Sequence, residues 1–561
     1  MIARMTSLLE RPWAAALLLG LASLLLYSIN IEHAPHHDEL YHILAAKGLL
    51  ETGLPAIGED GRYWRGYPLT WLVAQSFALL GPGLAAARLP SVLFMAGLVI
   101  LLFLFIRREA GSSTAAWLGA GLFAISPSAI ELAQFVRFYS LQCLLFFAAA
   151  WLAYALPGRP FRPWRRLPMA AAALLLLAFA AHLQPTTLLG VAGLGLWLAG
   201  ALLLPWLLDD AVPRPRKTGL LLALAAAGLL ALGLAWAGGL LAALWQDYRS
   251  TSLFNRPQAN QFWFYHAWYS LLYPTLWTLS GPLAILALIR WPRLAGFLIV
   301  VFATGFLLNS FAASKSMRYI AYAQPFLFAL WGLGLAALLA MTKSLLGRAC
   351  GRLAASFAPL PARSAHRLAF LLIAMSLAFL LVANPALLRS ATLLAGITVP
   401  PELPPNDWEA ARSVLEPLVE GVEAVVTTDE LHMLYYYGRA DYLLAASKFG
   451  ELPIERRAPF GRDVRTDVAV IDDTQSLELI LRCHESGLFV TQLQHWPGGQ
   501  RPRDELVAAA PLLHALAEPV GVPPRSRLVV FAWHNRTPPD SGYCQSLPHS
   551  IETGQDDSPS S

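Results

Sequence analysis

Long apolar runs dominate the first two-thirds of the chain, and short alternating runs the last quarter. Runs near residues 13–30, 89–106, 114–127, 140–157, 167–182, 186–207, 218–245, 271–289, 294–312, 319–341 and 367–385 approach the roughly 20 residues a helix needs to cross a bilayer, which predicts about eleven spans. A further stretch, YPLTWLVAQSFALLGP at 67–82, is shorter and carries Pro68 near its start, so it predicts a helix lying in the membrane interface. The pattern changes at the proline-rich PPELPPND of 400–407. Beyond it WEAARSVLEPLVE has helical spacing, VEAVVTT, DVAVID, GLFVTQLQ and RLVVFAW read as strands, and 474–484 and 503–517 as helices between them. The expected architecture is an α-helical polytopic membrane protein with a C-terminal soluble α/β domain of mainly parallel pairing. The expected boundaries are 1–395 for the transmembrane domain, 396–545 for the small α/β domain and 546–561 for a disordered tail.

Composition agrees. The 561 residues are 56% hydrophobic and 14% charged, against about 25% charged in a soluble domain. With a formal net charge of only +5, placement matters more than size. Basic residues gather in alternate loops: Arg107 and Arg108; Arg159, Arg162, Arg165 and Arg166; Arg214, Arg216 and Lys217; Arg290 and Arg293; and the 342–367 loop. The positive-inside rule makes these loops and the N-terminus cytoplasmic. No A-x-A-like cleavage site follows the first run, so it is expected to stay as an uncleaved span. No Walker loop or strand–GxGxxG–helix unit is present, so neither a soluble nucleotide cofactor nor a nucleic-acid partner is expected. The four cysteines form no CxxC pair; Cys483 and Cys544 both fall in the C-terminal domain, and bridged and free thiols are equally open readings.

The same topology puts the chemistry-bearing residues on the non-cytoplasmic side. HHDE (36–39) follows the first run and contributes Asp38 and Glu39 at the membrane edge, where a carboxylate is costly. These two either solvate a loop and cap the next helix, or do proton chemistry. ELAQFVRFYSLQ (131–142) places Arg137 at a span end, where an arginine either snorkels or grips a phosphate with its two-pronged guanidinium. SKSMRYIAYAQP (314–325) adds Lys315, Arg318, Tyr319 and Tyr322, and AAHLQPT adds His182 and Gln184, a lone histidine being more often a structural hydrogen-bonding group. Tyr41 and His42 lie one turn beyond Asp38 and can support it. His37, Asp38 and His42 are the metal candidates, Asp38 and His42 being four residues apart on a helix; a divalent ion is compatible with the pattern but not required by it. The α/β domain shows no catalytic motif.

One carboxylate base, outward cations and apolar walls suit a sugar carried on a polyprenyl phosphate. The acceptor hydroxyl needs a base, while the departing phosphate needs charge stabilisation rather than an acid. The residues also follow a known pattern. HHDELYHILAAKGLLETG, YPLTWLVAQSFALLGPGLAAARLPSVLF, SPSAIELAQFVRFYSLQ and MRYIAYAQPFL resemble, in order and sidedness, the GT-C superfamily of membrane glycosyltransferases over roughly residues 10–341. The likeness is strongest to the branch of protein O-mannosyltransferases and the lipid A aminoarabinose transferase. The resemblance implies a GT-C-like catalytic domain over 1–395, Asp38 as catalytic carboxylate with Glu39 beside it, and Arg137 and Arg318 on the donor phosphate, with Tyr319 and Lys315 adjacent. It implies a polyprenyl-phosphate-sugar donor, an envelope acceptor (lipopolysaccharide, glycolipid or protein) and a bacterial inner membrane with the C-terminal domain in the periplasm. The tail does not look like a β-trefoil, and the extra-loop signatures of oligosaccharyltransferases are not matched.

Two other readings are weighed. A lipid or sugar transporter should show repeated halves and ionisable groups near mid-membrane. The chain shows no such repeat, and its charged candidates lie at span ends. A scaffold whose α/β domain recruits a partner is permitted by the bare tail but leaves the outer Asp–Arg set unexplained.

Overall fold

The computed structural model describes residues 11–58, 61–157, 163–209, 213–249, 261–356, 384–398, 404–452 and 460–535, together with Met375, Ser376, Phe379, Arg457 and Cys544. The chain divides into two compact units, one of Met1–His33 with Arg88–Val399, the other of Ala34–Ala87 with Pro400–Ser561. Residues 34–87 therefore group with the C-terminal domain rather than with the membrane helices, because they share a buried ionic network with it, described below. The expected span at 367–385 lies almost wholly, and the expected tail at 546–561 wholly, outside the described residues.

The first unit is helical. Among the described residues five helices are long and apolar enough to cross a membrane: Leu84–Ala110, Arg166–Leu183, Thr187–Leu208, Pro292–Phe311 and Ala321–Leu345. A sixth is made if Ser113–Ala124 and Pro127–Ala133, bent by 59°, count as one. Among the described residues the other expected runs do not form single long helices, for local reasons. The 13–30 and 140–157 runs form helices of 16 and 17 residues, and the 271–289 run breaks into Phe264–Leu272, Pro274–Thr278 and Ser280–Arg290. Gly239, with φ +70°, splits the 218–245 run between Arg214–Ala237 and Leu240–Arg249. The 59° bend has a chemical cause. Ser126 caps the second helix by accepting from the Ala129 amide at 3.2 Å, and Pro127 at the first helical position supplies no N–H to continue the preceding ladder.

Small residues set the helix spacing. A Cβ on Gly332 would sit 2.5 Å from the Gly119 backbone nitrogen, so two backbones meet there as in small-residue membrane interfaces. Fully buried Arg88 donates to the carbonyls of Ile31 (2.6 Å) and His33 (2.8 Å) and so satisfies the end of the first segment.

The second unit begins with the helix His37–Thr52, a short hairpin of β1 (Ala56–Ile57) and β2 (Gly61–Arg62), and the helix Tyr67–Leu80. Its sheet has seven strands: β3 (Ala424–Thr427), β4 (Tyr442–Leu444), β5 (Gly461–Arg462), β6 (Ala469–Ile471), β7 (Ser486–Gln492), β8 (Glu518–Pro519) and β9 (Leu528–His534), in the order β5-β6-β4-β3-β7-β9-β8. The central run β6-β4-β3-β7 is parallel, but β5, β9 and β8 pair antiparallel, so the sheet is mixed rather than mainly parallel. Alternating side chains feed two cores: Val426, Phe489 and Phe531 pack with helices Thr474–Cys483 and Asp504–Leu516, while Val425, Val490 and Val530 pack with Arg412–Gly421 and Glu430–Tyr437. Helices thus cover both faces. Chain order departs from β3 toward β4 on one side and returns as β7 on the other, which puts a topological switch point at the carboxyl ends of β3 and β7. Cys483 and Cys544 form a disulfide, Cα–Cα 5.7 Å, closing the last strand's exit onto a helix end.

Candidate functional site

The segment after His33 is a helix start built by its own side chains. His36 is the N-cap: its Nδ1 accepts the Asp38 amide at 3.1 Å, and the Glu39 carboxylate accepts the His36 amide at 2.8 Å. This reciprocal capping box occupies Glu39, which is 1% exposed, in holding the helix end. Asp38 is half-buried at the second helical position, in the first turn of the helix. The two adjacent carboxylates therefore have different environments. The one-turn-on neighbours pack sideways: buried His42 bonds Thr70 Oγ1 through Nδ1 at 2.8 Å and meets the Tyr63 ring edge-on, while Tyr41 stacks on Tyr63 at 4.8 Å.

Among the described residues the group with metal-ligand geometry is His37, Asp429 and His432, whose ligand atoms all lie within 4.8 Å of one another. This corrects the expected set of His37, Asp38 and His42: four-residue spacing puts Asp38 and His42 on one helix face, but the His42 ring turns inward to Thr70. Asp429 follows β3, opens the helix Glu430–Tyr437 as its N-cap and accepts the His432 amide. Its Oδ1 lies 3.0 Å from His37 Nδ1, and its Oδ2 lies 2.8 Å from His432 Nδ1 and accepts from Gln492 Nε2 at the end of β7. His432 is clamped face-on by Trp408 at 5.2 Å. Burial would raise the Asp429 pKa, but the two imidazoles hold it well below the usual carboxylate range. Burial would lower that of His37, and the Asp429 charge more than reverses this.

Beside it runs an ionic network. Lys448, just after β4, contacts Glu430, Asp463 Oδ2 (3.1 Å) and the Tyr41 hydroxyl (3.3 Å). Arg465 bonds Asp463 at 3.2 Å and lies over the Tyr41 ring. Buried Tyr41 is pushed up to about 12. The hairpin closes over this corner: a Cβ on Gly61 would meet the Arg465 carbonyl oxygen at 2.5 Å, so only glycine fits.

In the first unit the bend at Ser126 leads into the turn that carries Arg137. Ser91 Oγ donates to the Phe135 carbonyl at 2.9 Å, and Gln134 donates to the carbonyls of Tyr27 and Ile29, which fixes the turn. Buried Arg137 lies over Phe138 at 5.1 Å. Arg318 lies over Phe135 at 5.0 Å and Tyr139 at 5.9 Å, and Tyr319 approaches Tyr139 at 6.4 Å. The two arginines thus share one aromatic turn. Lys315 is used differently: Nζ donates to the carbonyls of Asn309 (3.0 Å), Ser310 (2.6 Å) and Ala312, satisfying the end of helix Pro292–Phe311. Three carbonyls take all three of its protons. His182 is exposed on the last turn of Pro163–Leu183, while Gln184 is buried.

No family model and no curated protein sequence matches the chain. Solved structures do. ArnT from Cupriavidus metallidurans bound to undecaprenyl phosphate aligns at TM-score 0.53 and 17% identity, over 92% of this chain and 97% of that one. The oligosaccharyltransferase AglB from Archaeoglobus fulgidus, in complex with an inhibitory peptide and a dolichol-phosphate, aligns at TM-score 0.53 and 12% identity, over 86% and 69%.

The chain shares the fold of these two structures.

Sequence reasoning singled out the HHDE segment, Arg137 and Arg318, and passed over Arg88, Lys448 and the Asp429–His432 pair. The signal for that pair was weak: an Asp-x-x-His at a strand-to-helix junction, 392 residues from its histidine partner.

Proposed function

We propose that the chain is an inverting glycosyltransferase that moves a sugar from a polyprenyl-phosphate donor to an acceptor hydroxyl of an envelope lipid, lipopolysaccharide or protein. Asp38 is the base. It takes the acceptor proton as the oxygen attacks the anomeric carbon, the bond to the phosphate oxygen breaks, and its electron pair leaves with the phosphate. That phosphate passes from a singly charged diester to a monoester that approaches two charges, so cations stabilise it more in the transition state than in the ground state. Arg137 and Arg318 supply them, with Tyr319 beside them on the aromatic turn. Glu39 keeps the helix start in place. Lys315 shapes the turn that carries Arg318 instead of binding phosphate, because its protons are spent on backbone carbonyls.

The observation that carries this reading is the pairing of two buried or half-buried guanidiniums on one aromatic turn in a chain with this fold. The ligands named for the two solved structures, undecaprenyl phosphate and a dolichol-phosphate, support the donor class. We place the chain in a bacterial inner membrane with its N-terminus cytoplasmic and the C-terminal domain periplasmic. The Cys483–Cys544 disulfide supports this, since such bonds persist in oxidising compartments. Retention of radiolabelled undecaprenyl phosphate by the purified chain tests the donor half. The Arg137→Ala/Arg318→Ala double variant should lose it, and unchanged retention would remove the reading.

A further inference from the structure

We propose that His37, Asp429 and His432 form a zinc site that clasps the start of the Asp38 helix to the switch point of the C-terminal sheet. Four observations converge. The three side chains offer two imidazole nitrogens and one carboxylate within 4.8 Å of one another, the donor set and count of a tetrahedral zinc site with one further position for water. The site sits at the carboxyl ends of β3 and β7, where doubly wound sheets place ligands.

The third observation concerns tautomers. The Pro35 carbonyl lies 3.4 Å from His432 Nε2 and can accept a hydrogen bond from a proton there, and in that tautomer Nδ1 is free to ligate a metal. That Nδ1 is buried and lies 2.8 Å from Asp429 Oδ2. A shared proton satisfies this pair in the absence of metal, and zinc binding would displace it, as metal binding to imidazole and carboxylate ligands does. Fourth, the surrounding shell is that of a metal ligand set. Gln492 donates to the Asp429 oxygen, Gln494 donates to Gln492 Oε1 at 2.5 Å, and Trp408 locks the His432 ring face-on. Nitrogen and carboxylate donors at four-coordinate spacing favour Zn²⁺ over Mg²⁺ or Ca²⁺, which take more oxygens.

The consequence is positional. His37 immediately precedes Asp38, so the zinc would tie the peptide that carries Asp38 to two residues of the C-terminal domain. Asp38 itself is not a ligand, and the zinc proposal does not depend on the transferase reading.

The test uses the full-length, untagged chain in detergent, stripped with chelator and titrated with Zn²⁺ alone, with bound metal counted by mass spectrometry and its geometry read from the visible spectrum of Co²⁺. One zinc per chain is expected, with a tetrahedral cobalt spectrum. His37→Ala and His432→Ala should each weaken binding by more than roughly 100-fold, and Gln492→Ala by roughly 10–100-fold, since shell partners typically carry that much. His495→Ala should bind as wild type does. Hydrogen exchange of the sheet in chelator shows whether each variant is folded; half-exposed His37 is the substitution least able to unfold the domain and decides the matter if His432→Ala does not fold. A wild-type chain that holds no stoichiometric zinc, or a folded His37→Ala chain that keeps it, would overturn the site.

Discussion

Replacing Lys448 by Met tests the reason residues 34–87 group with the C-terminal domain. The Lys448 side chain is 17% exposed, and its two carboxylate partners Glu430 and Asp463 are 1% and 3% exposed. Asp463 keeps Arg465 at 3.2 Å after the substitution, so the loss falls on Glu430. Stranding one partner of a buried pair costs about 3–5 kcal/mol, because the surviving charge stays desolvated. At 1.36 kcal/mol per decade, amides of 430–437 and of 37–52 should open roughly 10²–10⁴ times more often, which native-state hydrogen exchange on the full chain reads directly. Without its cation Glu430 would bind a proton more tightly folded than unfolded. Such a penalty is absent below the unfolded pKa and grows as pH rises through the raised folded one, so the loss should be larger near about pH 8 than near about pH 5. Lys448→Met/Glu430→Gln should recover much of it, since contacting residues couple by roughly 0.5–3 kcal/mol. A Lys448→Met effect below about 1 kcal/mol and independent of pH would show that the network is solvated and would refute the reasoning.

Arg137→Lys should raise the Kd for undecaprenyl phosphate by roughly 10–100-fold, because a point charge replaces a planar fork, and thermal unfolding should move little; equal binding would show that only the charge matters. Cys483→Ser should destabilise the C-terminal domain by about 4 kcal/mol, the closure entropy of a loop of its length, read as the same shift in the exchange of the β7–β9 amides, and reductant should do the same to wild type. Asp429→Asn should remove a carboxylate whose pKa is held low, so acid lability between about pH 4 and pH 2 should lessen relative to wild type, in which stability present above the unfolded pKa is lost as pH falls; thermal melts across that range check it.

What the residues alone showed depended on how local each feature is. Long apolar runs such as 294–312 and 319–341 became helices near the expected bounds, because composition over 20 residues decides them. The breaks at Ser126–Pro127 and Gly239 were equally local, but a continuous apolar run hides them. In the sheet, the seven-residue strands β7 and β9 were legible, while β5 and β8, two residues each, carry no period to read. Their antiparallel edges made a sheet expected to be mainly parallel a mixed one. The HHDE segment, Arg137 and Arg318 drew notice because charge at a membrane edge is expensive. Lys315 drew notice for the same reason, yet its cost is met by three backbone carbonyls, which no pattern of side chains reveals. Asp429, His432 and Lys448 lie in a polar domain where such residues are ordinary, and only the fold brings them to the segment that carries Asp38.

The central claim is that Asp38 is the base of a lipid-linked sugar transfer. Its most direct test is single-turnover transfer by purified wild-type, Asp38→Asn and Glu39→Gln chains, from undecaprenyl phosphate carrying each of a set of labelled hexoses and pentoses to total envelope lipid and protein, with donor binding measured in parallel. Positioned proton transfer contributes roughly 10²–10⁴-fold, about 3–5 kcal/mol of barrier, so Asp38→Asn should lose that much rate with donor affinity intact, and Glu39→Gln should lose far less. An Asp38→Asn chain that transfers sugar at the wild-type rate would contradict the account.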